Sequence, residues 1–252
     1  MQNAMKDLHS LWKKEYEAPF SGWDFSYLED RLIFEYPPWD YGKLAKQLIK
    51  KSKALLDIGT GGGEFLASLA PLPVHTCATE AWKPNVAIAK AKLEPMGVKV
   101  MEIDEKGRLP FSDGEFDTII DRHAYFTPAE IFRVLRPGGT FLTQQVGGSN
   151  LQDFAEAFDT NTPYKHLTFN YWKQEIKDAG FGTIKAEEWR GKQEFKDIGA
   201  IVYYIKATPW QAPGFDINKN MPQLDELQHK LDAGEKLIYT QIRFLYQAEK
   251  PC

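Results

Sequence analysis

Four glycines stand within five positions of this chain, with an acidic residue on either side. The stretch Asp57-Ile58-Gly59-Thr60-Gly61-Gly62-Gly63-Glu64 follows an apolar run that is typical of a buried strand. Glycines let a strand-to-helix turn adopt left-handed backbone angles and leave its amides uncovered for a ligand. A simple turn needs fewer glycines than this. The loop is therefore predicted to bind a ligand.

The residues around the glycines discriminate between ligands. A phosphate-binding loop would end in Gly-Lys-Ser or Gly-Lys-Thr, and a dinucleotide fingerprint would need glycine where Glu64 stands. The carboxylates of Asp57 and Glu64 would also repel a pyrophosphate. They suit a ligand that is cationic beside the loop, such as S-adenosylmethionine, which carries an ammonium and a sulfonium group and no phosphate.

Alternating strand-like and helix-like segments must position this loop. The strand-like segments are 54–58, 74–79, 98–103, 116–120, 139–146, 183–189 and 199–206, and the helix-like segments are 64–70, 84–94, 128–135, 151–158 and 170–179. This alternation predicts an α/β fold with a doubly wound, mostly parallel, seven-stranded sheet and helices on both faces. A further helix ending at Gly234 and a strand over 236–246 follow. We expect N-terminal helices and a lid over 1–52, a core over 53–206 and a packed extension over 207–252.

The glycine stretch resembles the first motif, D-x-G-x-G-x-G, of class I S-adenosylmethionine-dependent methyltransferases, a family with a Rossmann-like domain. Further motifs follow in the family's order. They are an acid after the second strand (Glu80), an acid after the third (Asp104), the block Leu109-Pro110-Phe111-Ser112-Asp113-Gly114-Glu115-Phe116-Asp117, and the helix, turn and strand of residues 130–141. The resemblance covers roughly residues 53–146, and ordered motifs are much more specific than one alone.

The resemblance implies a role for each matching residue. Glu80 would bind the two ribose hydroxyls, because one carboxylate has two acceptor oxygens, although an acid beside a helix is the alternative. Asp104 or its neighbour Glu105 would contact the adenine amino group, and Trp82 either stacks on adenine or packs at the sheet edge. The implied contacts for S-adenosyl-L-methionine and its product S-adenosyl-L-homocysteine are Asp57, Gly59, Thr60, Gly61, Gly63, Glu80, Ala81, Trp82, Asp104 and Arg122.

The fourth strand ends in Arg122-His123-Ala124-Tyr125. Ligands of open parallel sheets lie beyond the carboxyl ends of the strands, so Arg122 is expected near the methionine end of the cofactor. His123 is the candidate catalytic base, since an ordinary imidazole titrates near neutral pH. The alternative is that His123 hydrogen-bonds backbone and shapes the pocket. Methyl transfer from a sulfonium can also proceed by alignment alone.

Two aromatic clusters are candidates for the acceptor side. The first lies at 18–41, among prolines and glycines, and is expected to form a lid over the site or else a cluster covering the sheet. The second comprises Tyr164, Phe169, Tyr171 and Trp172.

Three functions stay open from the sequence. The first is a small-molecule methyltransferase of the EC 2.1.1 class, favoured by the net charge of -4. The second is a ribosomal-RNA-type methyltransferase, which would need a basic patch of Lys43, Lys46, Lys50, Lys51 and Lys53. The third is a protein that binds S-adenosylmethionine without catalysis.

The composition bounds the setting. Three features predict a cytoplasmic protein with no membrane partner. The two cysteines form no CxxC pair, the N-terminus lacks the apolar stretch of a secretion signal, and no run of about 20 apolar residues is present. The five histidines show no metal-ligand spacing, so no metal is predicted. The oligomeric state is left open.

Overall fold

The computed structural model describes residues 2–20, 24–104 and 108–252, with the backbone alone for 2–4. The helices are α1 Gln2–Glu17, α2 Tyr41–Ile49, α3 Glu64–Ser68, α4 Lys83–Leu93, α5 Pro128–Val134, α6 Gln152–Glu156, α7 Phe169–Asp178, α8 Ile198–Ala207 and α9 Met221–Asp232. The strands are β1 Leu32–Phe34, β2 Ala54–Ile58, β3 His75–Glu80, β4 Lys99–Glu102, β5 Phe116–Arg122, β6 Leu135–Val146, β7 Gly182–Phe195 and β8 Leu237–Glu249.

The strands form an eight-stranded sheet in the order β1-β7-β8-β6-β5-β2-β3-β4. The pairs β4–β3, β3–β2, β2–β5 and β5–β6 are parallel, and β6–β8 and β1–β7 are antiparallel. All five residues of β2 are buried, as expected for a central parallel strand covered on both faces. The α/β class and the mostly parallel sheet are confirmed.

The prediction of seven strands is wrong in number and in one member. Residues 199–206, predicted as a strand, form helix α8, in which nine of ten residues are buried. A wholly apolar run has no periodicity that separates a buried strand from a buried helix. Here the Asp197 side chain accepts a hydrogen bond from the Ala200 amide and so caps a helix. The three-residue strand β1 lies inside the predicted lid segment, while the expected strand over 236–246 is confirmed as β8.

The chain divides into two compact units. Unit 1 comprises Met1–Pro37, Gly147–Leu167 and Trp189–Ile242, and unit 2 comprises Pro38–Val146, Thr168–Glu188 and Arg243–Cys252. The core of unit 1 is built around α8 and includes Trp12, Phe154, Phe195, Tyr204 and Leu224. The predicted division of the chain at residues 52 and 206 stays a prediction.

Unit 2 holds the parallel strands β2 to β6 with the glycine loop between β2 and α3. Leu55, Leu56, Ile119 and Phe141 are fully buried along its strands. Parallel strands end at the same edge of a sheet, so the loops after β2, β3, β4 and β5 meet there. Within the described ranges, no helix has the length and apolarity that crossing a membrane requires.

Candidate functional site

The glycine loop adopts a backbone that only glycine accommodates without strain. Gly59, Gly61 and Gly63 have φ angles of +64°, +63° and +86°. A Cβ on Gly59 would lie 2.2 Å from the Cβ of Ala124, in the loop that follows β5. The first glycine therefore allows the loops after β2 and β5 to approach each other at the carboxyl edge.

Glu80, at the end of β3, holds the loop in place. Its Oε2 accepts a hydrogen bond from the Gly61 amide at 2.7 Å, and its Oε1 accepts one from the Trp82 amide at 2.7 Å. The side chain is buried. Each carboxylate oxygen can accept more than one hydrogen bond. Glu80 thus shapes the loop as a hydrogen-bond acceptor at the end of β3.

Asp57 and Thr60 are buried beneath the loop. Burial raises the pKa of Asp57 to about 7 and outweighs the opposing influences of Thr60 and Arg122. The buried Thr60 hydroxyl lies close enough to Asp57 to lower the pKa of that carboxyl, but it makes no hydrogen bond of ordinary length and angle in the part of the chain that the structure describes. A buried carboxyl that ionises only near neutrality and an unpartnered hydroxyl are both features that a bound polar ligand would relieve.

The remaining predicted cofactor residues follow β3 and β4. Ala81 is half-buried, and Trp82 begins helix α4 with 65% of its surface exposed, so its indole is available as a stacking platform. Asp104 is exposed two residues after β4, and the intervening Ile103 donates its amide to the Glu80 carbonyl at 3.1 Å. The structure thus brings the loops of Glu80 and Asp104 together. The alternative adenine contact, Glu105, lies outside the described residues.

A buried network fixes the end of β5. The Tyr41 hydroxyl donates to the Asp121 carbonyl at 2.8 Å and accepts from the Asp121 amide at 3.1 Å. The Asp121 carboxyl accepts from the Ala124 amide and from the Gln145 side-chain amide, each at 3.1 Å. Burial raises the pKa of Asp121 well above its ordinary value. The strand end and the loop after it are therefore rigidly positioned.

Arg122 and His123 project from this strand end and are both exposed. The Arg122 guanidinium lies over the Phe65 ring at 3.9 Å from the centroid, which is cation–π geometry. His123 has a φ of +71°, a strained value for a residue with a side chain. Its Nε2 lies 3.0 Å from the side-chain nitrogen of Gln144, whose oxygen accepts the Trp39 indole N–H at 2.7 Å.

The predicted aromatic lid is divided between the two units. In unit 1, Phe25 and Tyr27 pack on the Tyr204 and Tyr203 rings of α8, with centroid distances of 5.9 and 4.5 Å. Trp39 belongs to unit 2, where it contacts Gln144 as described. Trp23 and Gly22 lie outside the described residues. Closure of a lid over the site stays a prediction.

The second aromatic cluster is partly structural. Trp172 is buried and stacks on Phe126 at 4.5 Å, and Phe169 stacks on Tyr246 at 5.0 Å. Tyr164 and Tyr171 keep 48% and 38% of their surface exposed.

One group of metal-type ligands lies at the amino end of β3. His75, Cys77 and Glu115 have ligand atoms within 4.8 Å of one another. His75 is already paired with Glu115 at 3.3 Å and stacked on Phe116 at 5.5 Å, and burial raises the pKa of the Cys77 thiol. These interactions account for the three side chains without an ion.

Sequence reasoning missed four residues that shape the edge: Trp39, Tyr41, Gln144 and Gln145. Their bonds join positions that are distant along the chain, for example 80 residues for Tyr41 and Asp121. For Trp39 and Tyr41, the only indication in the sequence was their place in the aromatic segment 18–41, which was predicted to contribute to the site.

Comparisons with known proteins agree with this geometry. Residues 56–143 match a family model described as a methyltransferase domain. None of the curated proteins searched matches the sequence. Among solved structures, a proposed methyltransferase of Bacillus halodurans superposes with a TM-score of 0.61 at 19% identity, covering 84% of this chain and 99% of that one.

Two further structures share the fold. Phosphoethanolamine N-methyltransferase 2 of Haemonchus contortus, in complex with S-adenosyl-L-methionine, gives a TM-score of 0.52 at 18% identity, covering 85% of this chain and 53% of that one. The (4+2)-cyclase SpnF gives a TM-score of 0.54 at 17% identity, covering 83% of this chain and 79% of that one. Residues 56–143 thus match a methyltransferase-domain model, and the chain shares the fold of the proposed methyltransferase of Bacillus halodurans.

Proposed function

We propose that the protein is an S-adenosylmethionine-dependent methyltransferase that acts on a small-molecule acceptor. The observation that carries the proposal is Glu80, whose carboxylate accepts the Gly61 and Trp82 amides within a matched methyltransferase domain. This arrangement places a carboxylate at the end of β3, beside a left-handed glycine loop. A ribose diol suits a carboxylate, because its two hydroxyls are adjacent donors and the two carboxylate oxygens are adjacent acceptors.

The residues present fit the cofactor. Glu80 would hold the ribose, the exposed Trp82 indole and Asp104 would lie beside the adenine, and the glycine loop with Asp57 and Thr60 would face the amino-acid end. When bound, the cofactor supplies a methyl group already activated by a sulfonium. Asp57 and Glu64 flank the loop, with no lysine or arginine between them in the sequence. Because Glu64 is paired with Lys92 at 2.7 Å, the ionised form of Asp57 is the charge that favours a cationic ligand.

The chain's own contribution to transfer is placement. The Tyr41–Asp121 bonds fix the strand end, and the tight approach of Gly59 to Ala124 fixes the loop after it. A rigid edge can align an acceptor for in-line displacement, and alignment alone supplies a large part of such a rate enhancement. The phosphoethanolamine enzyme on the same fold shows by its name a small-molecule acceptor.

Two alternatives have less support. For an RNA acceptor, the basic residues of α2 and the following turn (Lys43, Lys46, Lys50, Lys51 and Lys53) are all exposed, which is also the normal state of a solvated helix face. A cofactor-binding protein without methyl transfer is favoured by one observation, the (4+2)-cyclase on the same fold.

Calorimetry tests the cofactor. We expect S-adenosyl-L-methionine and S-adenosyl-L-homocysteine both to bind, and absence of binding by both would overturn the proposal.

A labelling experiment tests the acceptor. The protein is incubated with methyl-labelled S-adenosylmethionine and a cell extract, which is then separated into small molecules, RNA and protein. We expect label in the small-molecule fraction, and the Gly61→Val variant serves as the background control. Label in RNA would support the first alternative, and binding without any label above background would support the second.

A further inference from the structure

We propose that His123 acts as a fixed hydrogen-bond donor to the methyl acceptor rather than as its base, with its tautomer set by a chain of bonds from Trp39 through Gln144. The inference rests on the proposed function for the identity of the bound molecule. The bonding chain itself is independent of that function.

The chain of bonds has a fixed direction. The Trp39 indole Nε1 can only donate, and it lies 2.7 Å from the side-chain oxygen of Gln144. The amide nitrogen of Gln144 must therefore be the atom that faces His123, at 3.0 Å from Nε2. An amide nitrogen can only donate, so Nε2 must accept.

The proton of the neutral imidazole then resides on Nδ1. Protonating Nε2 would place two donors against each other across 3.0 Å. His123 cannot take a proton at Nε2 without breaking the bond to Gln144, and Nδ1 already carries one. His123 is exposed as a whole residue although protein atoms surround and desolvate its imidazole, and no hydrogen-bond partner of Nδ1 is found in the ranges that the structure describes. Nδ1–H is thus a donor directed away from Gln144.

The charges around the ring favour the same state. Desolvation, together with the positive charges of Arg243 at β8 and Arg122 at β5, holds the pKa of His123 well below its usual range. The Gln144 side chain that faces Nε2 is uncharged, as is the Trp39 indole bonded to it, and burial raises the pKa of the Asp121 carboxyl two residues before His123. The imidazole is neutral at physiological pH.

The Nδ1–H donor of His123 and the positive charges around it together indicate which chemical group binds there. An N–H donor in the positive field of Arg122 and Arg243 suits a carbonyl or anionic oxygen of the acceptor molecule. A nucleophile held in this way needs its own lone pair, as in a neutral amine or a carboxylate. The backbone of His123 supports a functional role, because a φ of +71° is strained and such strain concentrates at functional sites.

Nuclear magnetic resonance on the free protein tests the bonding chain. We expect the long-range nitrogen–proton couplings of His123 to show the Nδ1–H tautomer at neutral pH. In Gln144→Glu the carboxylate still accepts from Trp39 but accepts from Nε2 as well, so the pKa of His123 should rise above its value in the parent protein. An Nε2–H tautomer in the parent protein, or an unchanged pKa in the variant, would overturn the chain.

Substitution of His123 tests the donor role, using the acceptor found by the labelling experiment. Asparagine carries an N–H near the position of Nδ1, cannot act as a base and tolerates a positive φ. We expect His123→Asn to keep kcat/KM within about threefold and His123→Ala to lower it about tenfold or more. A loss of about 10²–10⁴-fold in both variants would instead identify His123 as the base. The tautomer of His123 measured by nuclear magnetic resonance does not depend on whether methyl transfer is found. The proposed function and the bonding chain can therefore be refuted independently of each other.

Discussion

Replacement of Glu80 by glutamine separates the loop-holding role of this residue from its role toward the cofactor. Glutamine keeps the size of the side chain but has one acceptor oxygen, so its NH2 group must face either the Gly61 or the Trp82 amide, where the carboxylate now accepts at 2.7 Å. One of these two part-buried amides loses its partner, which costs about 1–3 kcal/mol. For a chain of this length the expected fall in Tm is roughly 2–12 °C.

The effect on affinity follows from the same count of acceptors. One ribose hydroxyl would lose a charged acceptor, and hydrogen bonds to charged groups contribute about 1.5–3 kcal/mol. S-adenosyl-L-homocysteine should therefore bind about 10- to 150-fold more weakly, as measured by calorimetry at constant salt.

Glu102→Gln is the matched control, since Glu102 pairs with Glu80 in the register of β3 and β4 but is exposed. We expect the same change there to leave affinity and Tm unaltered. A Glu80→Gln variant with a lower Tm and unchanged affinity would refute the ribose role and leave Glu80 as a clamp for the loop.

The other predictions concern the loop, the buried acid and the strand end. Gly61→Val, at φ +63°, should abolish binding of S-adenosyl-L-homocysteine in calorimetry. The control is Gly97→Val, at φ +83° with no atom near its Cβ position, which should strain the backbone equally and leave binding intact. Equal binding by both variants would refute the role of the glycine loop in holding the cofactor. The pKa of Asp57 is raised to about 7 in the folded state, so its contribution to stability is fully present below about pH 4 and is lost as pH rises to about 7. Asp57→Asn should remove up to about 4 kcal/mol of that decline, measured as urea unfolding free energies between pH 4 and 7.5, and identical slopes would contradict the raised pKa. Tyr41→Phe leaves the buried Asp121 amide without its partner and should lower the free energy of unfolding by about 1–3 kcal/mol, and a loss below about 0.5 kcal/mol would show that the hydroxyl does not fix the strand end.

The parts of the site that the sequence predicts are those encoded locally. The glycine loop was predicted because an apolar strand runs directly into it, and the positive φ angles of Gly59 and Gly61 match that interpretation. Glu80 was predicted from the order of the family's motifs, as the acid that ends the next strand. Local patterns also place Arg122 and His123 at the end of β5, because a buried apolar run ends immediately before them.

What the sequence could not predict depends on distant partners. Nothing near Gln144 signals that its amide joins Trp39, 105 residues earlier, to His123. The prediction of a strand in place of helix α8 is wrong for another reason. Nearly every residue of α8 is buried, so the sequence shows neither the helical nor the strand periodicity of apolar residues, and only the Asp197 cap indicates a helix. β1 is three residues long, too short for a pattern, and its pairing with β7 lies more than 150 residues away.

Because the segments of the two units alternate along the chain, they determine which parts of each unit can pack first during synthesis. Arg31 donates to Asp197, 166 residues later, and at 5–20 residues per second those residues take roughly ten to thirty seconds to emerge. For that interval the Trp12 face of α1 has no α8 to cover it, so unit 1 is open to chaperones or to premature association. The parallel strands β2 to β6 and the glycine loop all lie in the continuous segment Pro38–Val146. They can therefore assemble on the ribosome before α8 of unit 1 has been synthesised.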